Sequence, residues 1–106
     1  MIRAIIRPER VGEVLKELME AGFVAVTKMD VMGRGRQRGL KYGDVFYDEI
    51  PKEMLFMVVK DEDKDDVVEI ILKKARTGEK GAFGDGKIFI NPVNEAYTVS
   101  SGAPGL

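Results

Sequence analysis

Residues 2–22, IRAIIRPERVGEVLKELMEAG, change their period part-way along. Ile2, Ala4 and Ile6 fall on one side of an extended chain and Arg3, Ile5 and Arg7 on the other, the alternation of a strand. Pro8 ends the alternation and suits the first turn of a helix, where its missing N–H costs little. Val11, Val14, Leu15 and Leu18 then recur at helical spacing, and Gly22 stops the run. The stretch therefore predicts a strand followed by a helix with one apolar face.

Working outward, Phe23 to Met32 is rich in Val, Thr and Met and predicts a second strand. Residues 33–51, GRGRQRGLKYGDVFYDEIP, have no apolar period and read as a long loop. Residues 54–59, MLFMVV, are apolar at every position, which predicts a central strand buried on both faces. An acidic run, Asp61 to Asp66, is usually solvated surface, but here it stands where a helix N-terminus favours negative charge. Val67, Val68, Ile71, Leu72 and Ala75 line that second helix, with Lys73, Lys74 and Arg76 near its end. A last strand, Lys87 to Asn91, precedes Pro92 and a polar tail. The order β-α-β-β-α-β is an α+β, ferredoxin-like arrangement: one antiparallel sheet with two helices on one face. Ile5, Val24, Val26 and part of 54–59 remain for the other face, a patch that predicts a homo-oligomer.

The chain's 106 residues suit one domain, 1–106, with no internal repeat. A net charge of -1 argues against bulk nucleic-acid binding, which needs a basic excess. With neither Cys nor His, disulfides, thiol nucleophiles, catalytic triads and zinc sites built on those residues are excluded. A metal could still bind through carboxylates, a Gln amide or a ligand's phosphates. No apolar run reaches membrane-spanning length and the N-terminus lacks a signal-like apolar segment, so a cytoplasmic protein without membrane insertion is expected.

Two glycine-rich segments are the candidates for chemistry. Residues 33–39, GRGRQRG, leave a strand, and Gly84-Asp85-Gly86-Lys87 leads into one. Bare backbone N–H groups beside a fixed cation suit a phosphate, although each run taken singly is more often a turn. Neither run opens a helix, so neither is a P-loop or dinucleotide fingerprint. Phosphoryl transfer would need a base, and without His only scattered carboxylates remain, Asp85 foremost. An acid so placed also fixes a loop through backbone hydrogen bonds, and no enzyme is predicted. An RNA reader of this fold would display stacking aromatics; Phe56 stands alone among aliphatics, Phe89 lies in another strand, and core packing accounts for both.

The opening AIIRPERVGEVLKELMEAGF, residues 27–39 (TKMDVMGRGRQRG), Pro51-Lys52, Thr77-Gly78 and residues 84–90 (GDGKIFI) together resemble the PII signal-transduction family, in family order and over nearly the whole chain. The resemblance implies a trimer whose sheets line the centre, with ATP or ADP in the clefts between subunits. It makes 33–51 the T-loop that reaches partners, 77–87 the B-loop that holds phosphates, and 92–106 a C-terminal segment. Gly84, Asp85, Gly86 and Lys87 match the phosphate loop; Gly33, Gly35, Arg36 and Gln37 match the T-loop base; Thr27 matches a position near the adenine. Gln37 matches the ligand of Mg2+, which ATP phosphates and 2-oxoglutarate complete, and Lys52 matches the lysine that pairs with a 2-oxoglutarate carboxylate. Without the family, Lys52 would be a solvated lysine beside Pro51. Arg38, Lys41, Tyr42, Asp44, Tyr47, Asp48 and Glu49 fall in the loop that contacts partners.

The departures refine the resemblance. The T-loop looks shorter than in common members, and neither Tyr42 nor Tyr47 aligns with the tyrosine that some of them uridylylate. Residues 78–83, GEKGAF, look inserted before GDGK. These features, with AYTVSSG near the end, resemble the nitrogen-fixation branch, and within it the shorter-looped of two paralogs. That resemblance implies a non-enzymatic sensor of MgATP and 2-oxoglutarate acting on a nitrogenase component, as a homotrimer or mixed with the second paralog. The alternative within the family is a regulator of an ammonium transporter. Thr98 and Ser100 stand where most members have two phosphate-contacting arginines, which predicts weaker nucleotide binding unless Arg76 or Lys80 substitutes.

Overall fold

A computed structural model describes residues 1–34 and 50–106. The elements run β1 (Ile2–Ile6), α1 (Pro8–Glu20), β2 (Thr27–Gly33), β3 (Ile50–Met57), α2 (Asp61–Ala75) and β4 (Gly86–Ile90), the predicted order. They form one antiparallel sheet in the order β2-β3-β1-β4. Pro8 begins α1 as expected. The helix ends where Gly22, at φ 97, donates its N–H to the Met19 carbonyl and Phe23 donates to that of Leu18, a left-handed cap that Gly22 adopts without strain. Asp61, Glu62 and Asp63 fill the first turn of α2, and Lys73 and Lys74 its last, each charge at the favourable end of the helix dipole.

Both helices cover the same side of the sheet. Ile2, Ala4 and Ile6 of β1 and Leu55 and Met57 of β3 are buried against Val11, Val14 and Leu18 of α1 and Val67, Ile71 and Ala75 of α2. The opposite side carries rows of facing residues. Thr27, Phe56, Arg3 and Phe89 form one, and Met29, Met54, Ile5 and Lys87 the next.

Several sequence expectations are corrected. The second strand starts at Thr27 rather than Phe23, because Phe23 is engaged in the helix cap, and both Phe23 and Val26 pack on the core edge. Val26 is therefore not on the uncovered face, and Val24 lies outside any strand. The region read as loop over 33–51 gives up Gly33 to β2 and Ile50 and Pro51 to β3. Pro51 is tolerated because pairing with β1 begins only at Glu53, so no partner on that side needs its N–H. The third strand is central, but it ends at Met57 and buries one face only; Met54 and Phe56 are half-buried on the side without helices. Phe89, 45% exposed on that same side, is likewise not core. Leu72 is also exposed, at the rim of an apolar groove between α2 and β4.

The start of β4 is fixed by close backbone approach. Gly86 has φ 130, and a Cβ there would stand 2.1 Å from the Ile5 carbonyl oxygen, which is sheet backbone and cannot step aside. Gly12, inside α1, has nothing within 4 Å of a Cβ position. Gly86→Ala should lower stability by about 2 kcal/mol or more, whereas Gly12→Ala should raise it by about 0.5–1 kcal/mol. Urea denaturation of the two variants beside the parent chain checks both signs.

Candidate functional site

The pairing of Ile6 with Gly86 and of Ile6 with Glu53 places the residues just beyond β1 between the start of β3 and the loop before β4. Arg7 leaves β1 at that point. Its Nε donates to Asp85 Oδ1 at 3.0 Å and its Nη2 to the Phe83 carbonyl at 2.8 Å. Thr77 donates twice to the same carboxylate, from Oγ1 to Oδ1 at 2.6 Å and from its backbone N–H to Oδ2 at 3.0 Å. The Ala82 N–H completes the set on Oδ2 at 2.8 Å. Thr77 is itself held in place, since Arg10 of α1 donates from Nη2 to the carbonyl of Arg76, which caps α2.

Burial alone would raise the Asp85 pKa. The Thr77 hydroxyl and N–H, the Ala82 N–H and Arg7 outweigh it and hold the carboxyl well below the usual carboxylate range. A carboxylate so bound is a poor general base.

Lys52, on β3, donates from Nζ to the carbonyl of Gly84. The fold thus brings together two segments that are separate in sequence, the lysine beside Pro51 and the glycine-rich loop. The Lys52 pKa is lowered, first by burial and then by the Arg7 charge, against the opposite pull of Glu9 and Asp85. Lys87 lies opposite Ile5 on the uncovered side, and Arg76 and Lys87 border the groove beside α2 together with Asp85. The result is a glycine loop ringed by cations whose one carboxylate is already neutralised, an arrangement that can take an anion.

The remaining sequence-predicted residues are distributed differently. Gly35, Arg36, Gln37, Arg38, Lys41, Tyr42, Asp44, Tyr47, Asp48 and Glu49 lie outside the described residues. Gly33 ends β2; a Cβ there would meet only Lys52 Cγ at 3.7 Å, so neither packing nor a positive φ demands glycine at that position. Thr27 begins β2 opposite Phe56, on the edge of the sheet farthest from β4. Within one chain it does not meet Gly84–Lys87. Thr98 sits in the tail, where it exchanges backbone hydrogen bonds with Ala103 and Gly102 beneath a Tyr97–Pro104 bridge. Among the described residues no group of three acidic side chains could hold a metal, and no helix is long and apolar enough to cross a membrane.

Sequence reasoning missed Arg7 and gave Thr77 no role. The alternation of β1 does place Arg7 on the side of Lys52, but nothing local shows that residues 77 and 82 fold back onto Asp85.

The family model described as nitrogen regulatory protein P-II matches residues 1–103. The chain is 54% identical over its full length, and over 98% of the relative, to nitrogen fixation nifHD region glnB-like protein 1 of Methanococcus maripaludis. It is 56% identical, with the same coverage, to the protein of that description from Methanobacterium ivanovii. It is also 45% identical to nitrogen regulatory protein P-II 2 of Methanothermobacter thermautotrophicus, over 98% of this chain and 91% of that protein.

Because the Asp85 pKa is depressed on folding, the carboxylate stabilises the fold above the unfolded-chain value of about 4 and loses that contribution as pH falls below it. Asp85→Asn should therefore melt well below the parent chain at neutral pH, and the gap should narrow progressively below about pH 4. Thermal melts across that range check the sign; a gap independent of pH would show that the charge of Asp85 contributes nothing.

Proposed function

The chain belongs to the nitrogen regulatory protein P-II family, and from that premise we propose that it is a nitrogen-status sensor of the nitrogen-fixation branch, the shorter-T-loop paralog. It binds ATP or ADP and 2-oxoglutarate and acts on a nitrogenase component through residues 33–51. It is a regulatory protein, not an enzyme, in keeping with an Asp85 whose oxygens are committed within its own loop.

The observation that carries the proposal is the contact between Lys52 and Gly84. A lysine matched to an effector carboxylate stands against the loop matched to nucleotide phosphates, so one anionic ligand can feel the other. Gly84, Gly86 and Lys87 receive the phosphates in this scheme, and Gly33, Gly35, Arg36 and Gln37 are matched to the loop base that touches nucleotide and effector. Gln37, by its match to the family's ligand, and ligand oxygens hold Mg2+ in this scheme. Arg76 and Lys87, which border the groove beside Asp85, supply positive charge that Thr98 and Ser100 do not.

Placement also supports a site shared between copies. Thr27 and Lys87 occupy strands at opposite edges of the sheet and come together only across a subunit boundary. The uncovered face, with Ile5, Met29, Met54, Phe56 and Phe89, offers the apolar surface that a trimer would bury. In the cytoplasm, low 2-oxoglutarate leaves the T-loop free to engage its target; MgATP with 2-oxoglutarate favours another loop state and releases it. Such a switch requires the ligands to bind the two states with different affinity.

Calorimetric titration tests the scheme. 2-Oxoglutarate should bind only when MgATP is present. Lys52→Met should abolish that second binding while weakening MgATP by no more than about tenfold, roughly 1.4 kcal/mol. Binding of 2-oxoglutarate without nucleotide, or undiminished in Lys52→Met, contradicts the proposed effector site.

A further inference from the structure

Asp85 matches the family's phosphate loop, yet its carboxylate is turned inward. A carboxylate offers about four acceptor sites, and four donors from Arg7, Thr77 and Ala82 already fill those of Asp85. No lone pair is left for a ribose hydroxyl or a cation.

We propose that Arg7, Thr77 and Asp85 are positioning residues for phosphate recognition. They touch no nucleotide themselves, and they hold the 77–87 segment, in which the Asp85 N–H is spent on the Ala82 carbonyl, so that the backbone at Gly84 and Gly86 and the Lys87 side chain are preset for the anion. The inference rests on the nucleotide reading above and concerns how this chain's loop achieves it.

Three features support the assignment. First, the ties cross the loop rather than follow it. Thr77 stands at its start and Asp85 near its end, so the two hydrogen bonds between them close a ring around residues 78–84. Residues 78–83 are those read as an insertion, and a longer free loop costs more entropy to order on binding. Second, Arg7 grips the loop at two points, Asp85 and the carbonyl of Phe83, the residue before Gly84. A lysine in its place would keep the charge but not the two-pronged geometry. Third, the same Arg7 neutralises the acid that stands between Gly84 and Gly86, so a phosphate approaching Gly84 meets no net negative charge from Asp85.

The distinguishing measurement is the gain in affinity that phosphates confer, the ratio of ADP to adenosine binding, with ADP followed by calorimetry and adenosine by NMR titration. Asp85→Asn, Thr77→Val and Arg7→Lys are compared with the parent chain, each shown folded by its NMR spectrum at the temperature of titration. Asp85→Asn should lower ADP affinity about tenfold or more, and Thr77→Val and Arg7→Lys about three- to tenfold, with adenosine unchanged. Equal losses for ADP and adenosine would mean a merely structural role, and unchanged ADP binding in folded variants would remove any role; either result overturns the proposal. Should Asp85→Asn fail to fold, Thr77→Val, which deletes a single hydroxyl, decides alone. A parent chain that binds adenosine and ADP equally, or neither, defeats the nucleotide reading itself and the positioning role with it.

Discussion

Everything in this chain hangs on β1 being paired along both edges. Five residues, Ile2 to Ile6, hold β3 on one side and β4 on the other, although these strands are separated by α2 and a loop. The pairing buries Ile2, Ala4 and Ile6 under both helices. It also forces the exit of β1, at Arg7, into the gap between Lys52 of β3 and the loop leading to Gly86. The same contacts that make the core thus assemble the cation-ringed loop. This explains why Gly86 cannot carry a side chain: the Ile5 carbonyl occupies the space, and any shift there would disturb the register that delivers Arg7 to Asp85.

The electrostatics of that corner are balanced in a specific way. Burial depresses the Lys52 pKa, and the Arg7 charge close by acts in the same direction. Asp85 offsets the crowding from one side, but its lone pairs are spent on Thr77, Ala82 and Arg7 rather than on Lys52, which turns to a carbonyl instead. Lys52 is therefore the cation held by the weaker type of partner, a neutral carbonyl, and the one with most to gain from an arriving carboxylate. Arg7 already has an ionised partner and stays with the loop.

Legibility from sequence followed locality. Element order, the apolar faces of α1 and the acidic start of α2 were plain because helical spacing and end charges are properties of neighbouring residues. The start of β2 was misplaced because Phe23 and Val26 are apolar for a different reason, packing at the edge of the core beyond a helix cap. Residues 54–59 looked buried on both sides because Met54 and Phe56 are as apolar as Leu55 and Met57, although only the latter two lie under the helices. Phe56 and Phe89 gave the same signal and were assigned to the core, whereas they flank Arg3 on the open face. The glycine loop was recognisable as a motif, but its construction was not. Whether Asp85 points out to a ligand or inward to its own loop depends on Thr77 and Ala82 folding back onto it and on Arg7, which is 78 residues away.

The open face links assembly to ligand binding in the proposed trimer. Its rows mix apolar and cationic residues: Arg3 lies between Phe56 and Phe89, Lys87 shares a row with Met29, Met54 and Ile5, and Lys52 stands one row nearer the loop. Covering those rows with a second copy would bring Arg3, Lys52 and Lys87 to the boundary as well. Positive charges gathered at a partly desolvated boundary repel one another, and a polyphosphate bound there relieves the repulsion as it binds. In the proposed trimer, nucleotide binding and subunit association would then reinforce each other, because each removes a cost the other would have to meet alone. A site built in this way would report ligand through the surface that joins the proposed subunits, close to where β2 ends at Gly33 and β3 begins at Ile50.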